Sequence, residues 1–123
     1  MSETEIDKKK IESLLPHREP MLLIDKLTKI IPLKEIIKEE KIERIDLIKI
    51  DTEGFEYNTL VGMDREIKKV RFILFEHHYD NMIIKNYKFT DIHKLLKDNG
   101  FQKIFKTKMP LRKSFDYIYE NKN

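Results

Sequence analysis

Residues 45–56, IDLIKIDTEGFE, constrain the fold more than any other part of the chain. Ile45, Leu47, Ile48 and Ile50 form a nearly continuous apolar run, the pattern of a strand covered on both faces in a parallel sheet. Asp51, Glu53 and Glu56 follow at once, and Gly54 permits a sharp turn into the next element. Ligands of open α/β sheets sit at the carboxyl ends of the strands, so acids delivered there are candidates for a site. The same acids also suit a solvated strand-to-helix turn, because negative groups are favoured at helix N-termini.

A second apolar run, Val70, Phe72, Ile73, Leu74 and Phe75, again ends in polar groups: Glu76, His77 and His78. The intervening chain has the length of a helical crossover, so the two strands are expected to run parallel, with Asp51 and Glu76 at neighbouring strand ends. Two carboxylates and two imidazoles there suit acid–base chemistry, a divalent metal or a plain polar rim. Spacing alone does not select a metal, and none is assigned.

The flanking segments complete an α/β pattern. Leu33 to Arg44 is rich in helix formers, and a helix from Gly54 or Phe55 to about Val61 is expected, with Gly62 as its terminator. Tyr79 to Tyr87 reads as a polar loop bearing tyrosines. Thr90 is expected to cap a helix from Asp91 to Asn99 that buries Ile92, Leu95 and Leu96, leaves His93 solvated and stops at Gly100. Phe101 to Thr107 and Ser114 to Tyr119 alternate as a terminal antiparallel pair. Upstream, Ser2 to Leu15 reads as a capped helix, Pro16 to Pro20 as a turn, and Met21 to Ile24 as a strand.

With 123 residues the chain is one domain at most, and 40% hydrophobic with 38% charged residues is a globular composition. No apolar run approaches the ~20 residues that span a bilayer, and the polar start MSETEIDKKK is no signal peptide. The absence of cysteine excludes disulfides, thiolate catalysis and cysteine-bound zinc, and the cytoplasm is the expected compartment. Residues 85–113 carry nine basic and two acidic side chains, a balance that attracts anionic partners. Few of these cations are interleaved with aromatics, which argues against nucleic-acid binding.

The run IDLIKIDTEGFEYNTLVGM, from Ile45 to Met63, resembles the fourth-strand motif of the FkbM-type methyltransferases. The resemblance continues through VRFILFEHH (70–78) and the tail NGFQKIFKTK and SFDYIYENK. It implies S-adenosylmethionine as cofactor and a partial Rossmann-like class I methyltransferase sheet, mostly parallel with a C-terminal antiparallel strand pair and helices on both faces. It also implies residue roles: Lys49, Asp51 and Glu53 line the transfer site, and Glu76 and His77 form the adjacent wall, with His77 and His78 facing the substrate. The expected reaction is O-methyl transfer to a small-molecule or glycan hydroxyl. Separately, IESLLPHREPMLLIDKL (11–27) resembles the opening segment of β-hydroxyacyl-carrier-protein dehydratases, without their Gly-His-Phe-Pro segment, so His17 is given no catalytic role. The boundaries implied are an extension over 1–31 and a methyltransferase C-terminal half over 32–123.

Class I methyltransferases hold the cofactor with a glycine-rich loop after the first strand. Gly54, Gly62 and Gly100 are the three glycines here, far apart, and no G-x-G precedes the 45–63 motif. The expectation is therefore a truncated or diverged form that does not bind the cofactor alone. The sheet would then have a long apolar edge where the family has its first strand, which Met21 to Ile31 or a second copy would have to cover, and the basic C-terminal third could dock an acidic carrier or a complementary N-terminal half. The competing readings are a non-catalytic binding module and, more remotely, a dehydratase-like protein.

Overall fold

The computed structural model describes Lys9 and residues 31–123. The helix, turn and strand expected within residues 2–24 lie outside the described residues, as do residues 21–30 of the segment expected to cover the sheet edge.

Among the described residues four strands form one sheet in the order β1-β2-β4-β3. These are β1 (Ile45–Ile50), β2 (Val70–His78), β3 (Phe101–Lys108) and β4 (Ser114–Asn121). β1 and β2 are parallel, as the apolar runs and the crossover between them lead one to expect. β2–β4 and β3–β4 are antiparallel. The sheet is therefore mixed, with one parallel pair, and the expectation of a mostly parallel sheet is corrected. The reason is local: Lys108 to Ser114 is too short for a crossover, so β4 folds back on β3 and inserts beside β2.

Between residues 31 and 123 the helices are α1 (Leu33–Glu39), α2 (Glu56–Met63) and α3 (Phe89–Asp98), with a 3-10 segment, Asp64–Lys69, leading into β2. Gly62 lies inside α2 and does not end it; the stop falls at Asp64, whose φ is +51°. Thr90 lies inside α3, and the backbone N–H of Lys88 donates to the Asp91 carboxylate at 2.7 Å across the helix start.

Strand register decides which side chains meet the helices. Ile48, Ile73 and Tyr119 align across the sheet, as do Ile50, Phe75 and Tyr117. They join Ile37 of α1, Leu60 and Met63 of α2, and Ile92 and Leu96 of α3 in one core. Burying each large apolar side chain there contributes about 1.5–3 kcal/mol. The opposite face carries Leu47 and Phe72, then Lys49, Leu74 and Ile118, then Glu76 and Asp116. Among the described residues no helix covers that face, so helices on both faces are not found. Leu47 is 56% exposed and β1 pairs with β2 alone among the described residues. Among the described residues β1 is therefore an edge strand buried on one side, in place of the expected strand covered on both faces.

Candidate functional site

The parallel pair brings Asp51 and Glu76 to the same end of the sheet. With Lys49, Leu74, Met109 and Asp116 they line a cavity of about 240 Å³ on the face bare of described helices. Lys49 Nζ lies 4.0 Å from Asp51 Oδ2, a largely exposed pair that adds little stability. Asp116 stands opposite Glu76 in the antiparallel register. Burial, and then the charges of Glu76 and Asp51, push the Asp116 carboxyl above its ordinary range, with Lys49 opposing. Like charges this close favour retention of a proton, so the cluster can both accept a proton and hydrogen-bond a hydroxyl.

His78 occupies the same corner. Its Nε2 is 3.4 Å from Glu76 Oε1 and 3.8 Å from Glu53 Oε2, and its Nδ1 is 4.0 Å from Asp80 Oδ1. Glu53 reaches it from a turn that places two successive residues at positive φ, +51° at Glu53 and +104° at Gly54. Among the described residues no group of three or more histidine and acidic side chains is arranged to hold a metal ion.

His77 faces the other way. Successive strand residues alternate between faces, so Glu76 and His77, expected on one wall, are divided by the sheet. The His77 imidazole is buried among Tyr79, Phe89 and Tyr87, with ring centroids at 4.7, 5.7 and 6.0 Å. Its pKa falls to about 4, mainly through burial, then through the Lys85 charge, with Glu56 opposing and His78 adding to the fall. The ring is therefore neutral at physiological pH.

Glu56 holds these parts in place. Its buried carboxylate accepts from the Thr52 N–H and hydroxyl at 3.1 Å each, from the Gly54 N–H at 3.2 Å, and from the Tyr87 hydroxyl. Of the three acids that follow β1, this one fixes the turn, while Asp51 and Glu53 remain open to a ligand. Its place as the first residue of α2 was the available signal, because a carboxylate there meets unpaired backbone N–H groups. Asp116 carried a weaker signal, a lone acid among alternating aromatics in FDYIY. His93, expected to be solvated, is partly buried, with Nδ1 2.6 Å from the Tyr119 hydroxyl.

The model of the methyltransferase FkbM domain matches residues 12–103. The chain belongs to the FkbM methyltransferase family. No curated protein and no solved structure matches it significantly. The family match takes in β1, α2 and β2, hence Lys49, Asp51, Glu53, Glu76, His77 and His78, and ends in β3 before Asp116. The FkbM family implies S-adenosylmethionine as cofactor, and the described residues can be tested for a cradle. A Cβ at Gly54 would lie 2.6 Å from both Ile83 Cγ2 and Ile84 O, so that glycine serves a contact within the chain. Gly62 is inside α2, and Gly100 ends α3 with φ +86°. None of the three glycines lies in a glycine-rich loop.

Proposed function

We propose that the chain serves S-adenosylmethionine-dependent O-methyl transfer as the acceptor-side half of an FkbM-type methyltransferase. The observation that carries this reading is the meeting of Asp51 and Glu76 at the ends of two neighbouring parallel strands, inside the span of the family match. The strand order β1-β2-β4-β3, with its terminal antiparallel pair, supports the correspondence to the C-terminal half of a class I methyltransferase sheet.

In this reading the substrate is a small-molecule or glycan hydroxyl. Asp51 and Glu76 orient it and take its proton, and Lys49 and Glu53 border the same rim. Asp116, opposite Glu76 in the strand register, borders the same rim, its carboxyl raised above the ordinary range by burial and by the neighbouring charge of Glu76. Removal of the proton by a positioned carboxylate is typically worth about 10²–10⁴ in rate.

Titration calorimetry with S-adenosylmethionine tests the division of labour. The chain alone is expected to show no saturable heat. Co-expressed with a glycine-rich N-terminal half of an FkbM-family enzyme, it is expected to bind at micromolar levels. Micromolar binding by the chain alone, lost in Asp51→Ala, would overturn the proposed dependence on a second half; failure of every co-expressed half would overturn the split-enzyme reading.

A further inference from the structure

The pocket on the helix-bearing face has a composition that the acidic rim does not share. It lies between the end of β2 and the start of α3, is an open hollow of about 350 Å³ and is walled by the rings of His77, Tyr79, Tyr87 and Phe89, with His78 at the side it shares with the acidic corner. That volume falls within the range of small-molecule sites. Lys85 and Lys88 stand at its rim, and no carboxylate lines it. Lys85 is close enough to His77 for its charge to act on the imidazole, and its ammonium donates to the Asp80 carbonyl at 3.4 Å.

We propose that this pocket binds an aromatic carboxylate. Three observations converge on that ligand class. The rings present flat apolar surface at several tilts: His77–Tyr79 is edge-on at 77° and Tyr79–Phe89 is tilted at 44°, so a planar ring finds both stacking and edge contacts. The only fully charged side chains on the lining are those of Lys85 and Lys88; the nearby carboxylates of Glu56, Asp80 and Asp91 stand behind it, engaged with Tyr87, His78 and the start of α3. His77, 3% exposed, keeps Nδ1 buried with no hydrogen-bond partner among the described residues, a polar group left unsatisfied within an aromatic wall. A neutral imidazole adds apolar surface without competing for the anion, which leaves the lysines to select it. A cationic ring would be repelled, and an aliphatic acid would lose the ring contacts. The proposal concerns binding only and stands apart from methyl transfer.

The test is an NMR titration of the full chain, labelled on its aromatic side chains, with benzoate, cyclohexanecarboxylate and benzylammonium as probes. Benzoate is expected to shift the His77, Tyr87 and Phe89 resonances saturably. Cyclohexanecarboxylate should bind more weakly, and benzylammonium should leave those resonances in place. Lys85→Ala should weaken benzoate about fivefold, the equivalent of roughly 1 kcal/mol, whereas Lys94→Ala, on the far surface of α3, should not. Added salt should weaken benzoate binding to the unaltered protein in parallel, which checks the charge without any substitution. The inference is overturned by benzylammonium binding as tightly as benzoate, by salt-insensitive binding unchanged in Lys85→Ala, or by no saturable shift up to about 10 mM.

Discussion

Tyr87 donates its hydroxyl hydrogen bond to the buried carboxylate of Glu56, 31 positions earlier in the chain. One contact thereby ties the turn that presents Asp51 and Glu53 to the loop that walls the His77 pocket. Burial and the Glu56 hydrogen bond together raise the Tyr87 pKa, so the phenol keeps its proton throughout the physiological range.

Tyr87→Phe should therefore destabilise the protein by about 1–3 kcal/mol, because it leaves a buried charged acceptor with one donor fewer. Urea unfolding is the measurement, read as a lower midpoint at unchanged slope. A midpoint equal to that of the unaltered protein would mean that the turn stands without the loop.

Gly54→Ala should cost a similar amount, about 1–3 kcal/mol, for a different reason. The position has φ +104°, and an added Cβ would meet the Ile84 carbonyl oxygen at 2.6 Å. Gly62→Ala serves as the control, since a Cβ there meets nothing within 4 Å and the helix gains propensity. Thermal unfolding of the two variants should move in opposite directions.

The burial of His77 sets a pH dependence. In the unfolded chain the imidazole takes a proton near its ordinary 6.5, and in the folded chain only near 4. Its folded pKa is depressed, so stability is full above 6.5, falls as pH drops from 6.5 to 4, and is insensitive to this group below that. The loss approaches about 2–3 kcal/mol. His77→Phe should flatten the slope between those pH values, and an unchanged slope would assign it to other groups.

Asp116 acts with the opposite sign. Its folded pKa is raised, so its contribution is full below the ordinary carboxylate range and is lost as pH rises through the raised value. Asp116 is only partly buried, so the effect is screened; Asp116→Asn should stabilise the protein at neutral pH by less than about 1 kcal/mol. Glu76→Gln should bring the Asp116 carboxyl nearer its ordinary value, read by NMR titration of the carboxyl carbon.

The parallel strands were legible in the sequence because short apolar runs that end in charge leave few alternatives, and the terminal pair because its residues alternate. The parallel pairing was legible too, because only a helix fits the chain between Ile50 and Val70. That β1 is packed on one face only was not. An edge strand packed on one side and a central strand packed on both can share the same run of isoleucine and leucine, and only register shows Leu47 turned to the bare face. Acids at strand ends marked Asp51 and Glu76 as neighbours, yet the pattern of residues did not show that His77 leaves them for the helix face. Nor did local pattern find Glu56 as the anchor, since its partner Tyr87 comes from a loop whose path is set by tertiary packing.

Asp51 is the proposed working group at the rim it shares with Glu76. The most direct measurement is the rate of labelled methyl transfer to a hydroxyl acceptor by the reconstituted two-half enzyme, with and without Asp51→Asn. The predicted result is a fall of about 10²-fold or more with cofactor affinity unchanged. An equal rate in the variant, with both halves folded and the cofactor bound, would contradict it.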